Sequence, residues 1–357
     1  MKHAGTPTLT VLQGGRAVAA LAVVAFHSAI ATRDFGQGLP DAVFRASGYG
    51  AFGVDFFFVL SGFIILFAHA GDARDSQTAR TYVWKRLARI YVPYLPVSLG
   101  LIGIYLALPR LSGSTREWSL LTSLTLIPTG LPPALAVAWT LVHEMMFYGL
   151  FLVSYVIRRF AWLVAGWVVL ILAAAPWGMG ETGNVPSAWS FLAPINLDFV
   201  LGMLAAHAVW LLNLRGAWVV LCIGLGVLGA AVAFSPPDPG GLHRLPHGIG
   251  LACIVAGAVR FEQVGLIRAP LFLVGLGNAS YAIYLVHNPI ASLAARMAAR
   301  LGAFAAWPLC LAFCIGCGVV VGLFYHYAVE RPALDRVRRR LGQVRTSVAV
   351  MRRPDPA

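Results

Sequence analysis

Apolar stretches of about twenty residues recur along this chain, and their repetition constrains the fold more than any single motif. A helical segment of that length matches the hydrocarbon thickness of a bilayer, because each residue rises about 1.5 Å. Ten such windows can be placed, at 11–31, 50–69, 91–108, 135–157, 160–176, 190–212, 216–234, 246–260, 270–293 and 303–327. The apolar run 118–130 is shorter and is broken by PTGLPP, so it reads as a re-entrant or interfacial segment. Of the 357 residues 59% are hydrophobic and 11% charged, and the mean hydropathy of +0.76 leaves no room for a soluble domain of ordinary composition. The expected fold is an all-α, polytopic membrane bundle of about ten transmembrane helices. Residues 1–330 form one transmembrane unit, followed by a basic tail over 331–357 that lies against anionic lipid or is disordered.

An even number of spans returns both termini to one side of the membrane. Nineteen Lys and Arg residues fall on that side and seven on the other, with Arg16 inside the first window, so the positive-inside rule places both termini in the cytoplasm. The formal charge of +13 is thereby assigned to bilayer topology, and nucleic-acid binding is excluded because no soluble domain remains to carry it. No small-residue cleavage site follows the first apolar run, so that helix is expected to be retained rather than removed as a signal peptide. Cys222, Cys253, Cys310, Cys314 and Cys317 all lie in apolar windows, which argues against disulfides. The last three share a helix face with no adjacent His or acidic partner, the pattern of a packing seam and not of a metal site.

Against this background a polar residue inside a window needs a reason, since it costs free energy in hydrocarbon. RAVAALAVVAFH begins on Arg16 and ends on His27. Eleven residues at 100° each bring the two to within about 20° around the helix and about 16 Å apart along it. They either act together on one face, or separately, with Arg16 snorkelling to headgroups and His27 bonding a neighbouring helix. Glu144 lies near mid-depth of its window, and Thr140, Glu144 and Tyr148 recur every four residues as a polar stripe, which suits a functional carboxylate or a buried ion pair. Asp55 enters its window from the outer side, as a carboxylate near His27 or as a helix cap in GYGAFGVD. His287, in YLVHNP, is placed to contact an acceptor or to bond Asn278 or Tyr284. Arg86 and Arg89 lie three apart on the cytoplasmic side with Lys85 and Arg80 nearby; guanidinium forks suit phosphate, although topology alone also supplies cations there. His69, His143, His207 and His326 are given no chemistry.

In their order and spacing these segments resemble the membrane-bound acyltransferase 3 family, which includes O-acetylases of surface polysaccharides, Nod factors and macrolides. The likeness rests on the Arg, ten residues, His pattern of Arg16 and His27, on GVDFFFVLSGFII from Gly53 to Ile65, and on RLARIYVPY with Arg86 and Arg89. It continues through WTLVHEMMFY from Trp139 to Tyr148, GNASYAIYLVHNP, and ERP at Glu330, Arg331 and Pro332. One departure is LQGGRAV, where Gly15 and Ala17 stand beside the arginine in place of the family's more usual Leu and Gly.

The resemblance implies a stand-alone acyltransferase of the inner (cytoplasmic) membrane that takes an acyl group, acetyl by preference, from cytoplasmic acyl-CoA, with no permanently bound cofactor. The acceptor would be a hydroxyl of an extracytoplasmic glycan, lipid-linked sugar or macrolide-like molecule. A hydroxyl is a poor nucleophile at neutral pH, so such a transfer needs a base, for which His27 is the candidate. Glu144 is the leading carboxylate to orient it and Asp55 the second. Arg86, Arg89, Lys85 and Tyr148 are candidates for the donor, with Arg16 between donor headgroup and base, polarising the thioester or neutralising a phosphate. His287, Trp139 and Tyr284 are candidates for acceptor contact, and Glu330, Arg331 and Pro332 either shape the donor entrance or simply end a helix. The alternative is a transporter or exporter of a small acylated or glycan-related solute, since intramembrane His, Glu and Arg also mark ion pathways; no repeated halves are visible to support it. A non-catalytic scaffold would leave the polar stripe unexplained.

Overall fold

A computed structural model of the protein describes residues 9–108, 117–180, 183, 185–237, 240–302 and 306–339. Among them there is no β-strand, only a single bridge between Gln37 and Ala306. Nine helical runs among the described residues are long and apolar enough to cross a membrane. The chain runs through α1 (Thr10–Phe35), a surface helix α2 (Asp41–Gly48), α3 (Gly53–His69) and α4 (Ser76–Ala107). After α5 (Leu120–Thr125) come α6 (Trp139–Leu152), α7 (Phe160–Ala174), α8 (Leu197–Leu211), α9 (Leu214–Phe234) and α10 (Leu245–Gln263). The last three are α11 (Leu271–Asn278), α12 (Ser280–Leu301) and α13 (Trp307–Tyr325).

Of the ten expected windows, 270–293 is the one that falls outside the nine. It breaks at Ala279 into α11 and α12, and His287, Asn288, Arg296 and Arg300 make α12 too polar to register as a span. Its 22 residues still cover about 33 Å, and it packs between α1 and α13. The protein is therefore a polytopic helical membrane bundle in which this polar helix is shielded by its neighbours. The third window also differs: the helix begins at Ser76 and not near 91, capped by Asp75, whose carboxylate accepts the Thr78 N–H at 2.7 Å. Its 32 residues extend about 48 Å, so its basic first turns project beyond the hydrocarbon.

The 118–130 segment does not span. α5 is six residues long and docks on α4, where the Tyr94 hydroxyl donates to Ser123 O at 2.7 Å and Ser98 Oγ to the same carbonyl at 3.1 Å. The last transmembrane helix does not stop at Glu330 or Pro332. It passes through a π turn, His326–Glu330, and stays helical to Arg339. In that turn the Arg331 N–H donates to His326 O, a wider loop that admits one extra residue before a proline with no N–H to give. The remainder of the expected tail lies outside the described residues. All five cysteines are free thiols.

Two close contacts fix the frame. A Cβ on Gly62 would lie 1.9 Å from Phe199 O, and one on Gly202 would lie 1.9 Å from Val59 O, so α3 and α8 cross backbone to backbone where only glycine fits. At the start of α1, Leu9 offers no side-chain cap; Glu262 at the end of α10 supplies one instead, its carboxylate accepting the N–H of Thr10 at 2.7 Å and of Val11 at 3.0 Å. That anion sits where the helix dipole is positive.

Candidate active site

A cavity of about 240 Å³ opens inside the bundle between α1, α3, α4, α6 and α12. Its lining follows α3 from Val54 to Ile65, about 16 Å of helix. The volume is below the ~300–1,000 Å³ of pockets that enclose a whole drug-sized ligand, so the shape suits a narrow chain. Three cations line it: Arg16 from α1, and Arg86 and Arg89 from α4. The three-residue spacing brings Arg86 and Arg89 to one helix face, and that face turns inward. Arg16 is buried and donates through Nε to Ser280 Oγ at 3.1 Å.

The Thr140, Glu144, Tyr148 stripe of α6 also faces this cavity, all three residues lining it. Glu144 Oε1 accepts hydrogen bonds from the Tyr148 hydroxyl one turn away and from Ser61 Oγ, the latter at 3.1 Å. Thr140 Oγ1 lies 2.9 Å from the Tyr284 hydroxyl, and Tyr284 also lines the cavity. Both Arg16 and Arg89 feel the charges of Glu144 and of Glu330, which the π turn carries into the bundle. Three guanidinium groups thus meet two carboxylates, an excess of positive charge that suits an anionic ligand.

Beyond Tyr284 lies a pair of imidazoles. The His287 ring is 5.6 Å from that of Tyr284, centroid to centroid, and its Nε2 is 3.2 Å from His27 Nδ1. His287 Nδ1 stands 2.7 Å from Tyr284 O, and His27 Nδ1 stands 3.1 Å from Val23 O. A carbonyl only accepts, so each Nδ1 carries a proton. His287 Nε2 then accepts from His27 Nδ1–H, which assigns the lone pair of neutral His27 to Nε2. The hydrogen bonds among the described residues join His27 to Val23 and His287, and Glu144 to Ser61 and Tyr148; the expected bond between His27 and Glu144 is not one of them. Glu144 is instead met by Ser61 of α3 and Tyr148 of its own helix, whereas His27 is met by His287 of α12.

Asp55 is likewise committed elsewhere. It is fully buried, and Arg244 holds it through two bonds, Nε to Oδ1 at 3.0 Å and Nη2 to Oδ2 at 2.6 Å. It takes no capping role, since residue 52 precedes α3 without a side-chain cap. Lys85 is exposed and Trp139 packs its ring edge-to-face on His143, so neither lines the cavity. His143 bonds Asn196 Oδ1 at 2.9 Å, tying α6 to the start of α8, and His326 bonds Glu330 at 2.7 Å.

Several residues at the site carry no mark in the sequence reading: Gln13, Ser61, Ser280 and Tyr281 all line the cavity. Ser61 and Ser280 belong to LSGF and SYAIYL, two of the motifs already singled out, but only packing shows which way they face. His69 is the larger omission. Its Nε2 accepts from Arg86 Nη2 at 2.7 Å, which joins a histidine at a helix end to the cavity wall.

An acyltransferase domain family model matches residues 10–327. The chain is 31% identical to the acyltransferase MdmB of Streptomyces mycarofaciens, over 98% of this chain and 96% of that protein. It is also 31% identical to the exopolysaccharide production protein ExoZ of Rhizobium meliloti (strain 1021), over 82% of this chain and 92% of that one. No solved structure matches. The match over almost the whole membrane region, together with the arginine-lined cavity and the Arg16 to His27 helix, shows that this multi-pass membrane protein belongs to the acyltransferase 3 family.

Proposed function

We propose that the protein transfers an acyl group, acetyl by preference, from cytoplasmic acyl-CoA to a hydroxyl of an extracytoplasmic glycan or glycan-like acceptor. The observation that carries this reading is the narrow cavity with three guanidinium groups on its wall and an imidazole pair beyond its far end. Coenzyme A is a polyanionic nucleotide bearing a long thin thiol arm; phosphate chemistry matches Arg86, Arg89 and Arg16, and the arm matches the bore. The exopolysaccharide production that names ExoZ supports a glycan acceptor, and the excess of Lys and Arg on the side of the termini supports a cytoplasmic donor entrance.

In this reading His27 Nε2 takes the proton of the acceptor hydroxyl as its oxygen attacks the thioester carbonyl. The tetrahedral intermediate collapses with rupture of the carbon–sulfur bond, and the proton passes from His27 to the departing CoA thiolate. His287 fixes the tautomer of His27. Arg16, about 16 Å from His27 along α1, is too far to polarise the same carbonyl and serves the donor's phosphates. Glu144 and Glu330 balance the arginines so that the site tolerates being empty. The test is purified protein with labelled acetyl-CoA. Wild type transfers the label to a hydroxyl acceptor or slowly hydrolyses the thioester, and His27→Ala abolishes both while remaining folded. Full turnover in His27→Ala would overturn the base assignment, and solute movement in proteoliposomes without acyl-CoA would overturn the enzymatic reading.

A further inference from the structure

Arg86 is held from behind by a line of polar groups outside the cavity. Its Nη2 donates to His69 Nε2 at 2.7 Å; His69 Nδ1 lies 2.7 Å from Asp72 Oδ2; and the Tyr155 hydroxyl donates to the same oxygen at 2.7 Å. A guanidinium can only donate, so His69 must be neutral with its proton on Nδ1, pointing at Asp72. Asp72 lies in the α3–α4 connection. Burial alone would raise its pKa, but the hydrogen bonds from His69 and Tyr155 hold it below the ordinary carboxylate value, so it remains an acceptor. Tyr82 and Tyr148 flank the guanidinium, each with its ring 5.5 Å from Arg86 Cζ. The buried Nε of Arg86 has no hydrogen-bond partner among the described residues. Lys85, the neighbouring residue on the same helix, has no such support and is exposed.

We propose that His69, Asp72 and Tyr155 are positioning residues that preorganise Arg86 for an anionic group of the donor, a role that rests on the acyl-CoA reading above. A free arginine loses much side-chain freedom when it grips phosphate, and a guanidinium already fixed on three sides loses less, which appears as affinity. The relay joins the end of α3, the α3–α4 connection, Arg86 about three turns into α4, and Tyr155 three residues past the end of α6, so it also sets the direction from which the guanidinium reaches the cavity.

The test is a double-mutant cycle on detergent-purified protein, read as CoA affinity by calorimetric titration, which needs no acceptor. His69→Leu is expected to weaken CoA binding about tenfold, the loss typical of one hydrogen bond to a charged group. Arg86→Ala weakens it more, and His69→Leu adds nothing in the Arg86→Ala background, because its only route to the ligand has gone. His69→Gln, whose amide oxygen falls near the place of Nε2, recovers most of the affinity, a rescue that general damage to the fold would not give. Should His69→Leu fail to fold, Asp72→Asn completes the cycle. Multiplying losses in the double variant, or wild-type affinity in His69→Leu beside a weakened Arg86→Ala, would overturn the relay and leave the donor reading intact. Wild-type affinity in Arg86→Ala would overturn both.

Discussion

His27 and His287 stand 3.2 Å apart, Nδ1 to Nε2, and the carbonyl of Tyr284 at the back of His287 sets the proton positions on both rings. In the proposed mechanism an imidazole does the orienting work that serine hydrolases give to a carboxylate. His287→Phe removes the side-chain acceptor for His27 Nδ1–H, leaving Val23 O, and is expected to reduce kcat for acyl transfer about 10²-fold or more, with CoA affinity within a factor of about two. The acceptor-free titration and the labelled transfer assay separate the two effects. Equal losses in both would place His287 in the donor site.

Arg16 is fixed by Ser280 and faces the cavity beside Arg89. Lysine would keep the charge but lose the fork that reaches Ser280 and a ligand together. Arg16→Lys is expected to raise the KM for acetyl-CoA about tenfold. Ser280→Ala should give a smaller rise in the same direction, measured in initial-rate assays.

The Asp55–Arg244 pair is a buried ion pair linking α3 to the start of α10. Removing only the cation leaves a carboxylate with no guanidinium in a dry site, so Arg244→Met should lose about 3–5 kcal/mol of stability. The double variant Asp55→Asn, Arg244→Met should recover much of it. Thermal unfolding in detergent reads the order: the single variant melts lowest.

Gly62→Ala and Gly202→Ala each push a methyl into a backbone carbonyl. Neither carbonyl can move without separating α3 from α8, so overpacking here costs at least the ~1–3 kcal/mol seen in well-packed cores. Fluorescence-detected size exclusion is expected to show both variants as broadened or aggregated peaks. Alanine at Gly226, which has open space around its Cβ position, is the control.

Glu262→Ala removes the acceptor for two N–H groups at the start of α1. The expected loss is about 1 kcal/mol, the usual worth of an N-cap. It should appear as a lowered melting midpoint that Glu262→Gln partly restores.

Much of this architecture can be read from the chain because transmembrane helices must be both long and apolar. Nine of the ten windows correspond to such helices, and the tenth corresponds to α11 and α12, whose polarity is hidden by helices on either side. Helix periodicity also places Arg86 with Arg89, and Thr140 with Glu144 and Tyr148, since residues three or four apart share a face. It cannot rank residues on different helices by depth or neighbourhood. Glu144 and Asp55 both look like partners for His27, and only packing shows that one is met by Tyr148 and Ser61 and the other by Arg244. His69 has Asp72 only three residues on, but its link to the cavity runs through Arg86, 17 residues away on another helix, which periodicity cannot join.

The Gly62–Gly202 crossing has a mechanical consequence. Two backbones in direct contact cannot slide or part by rearranging side chains, so α3 and α8 make a stiff wall on which Ser61 rides. The opposite side is built from α4, where Pro93 and Pro96 delete two rungs of the helical ladder just beyond Arg89. Breathing that admits a ligand is therefore expected in α4, and two of the three arginines that would grip it, Arg86 and Arg89, are mounted on the compliant side of the vessel.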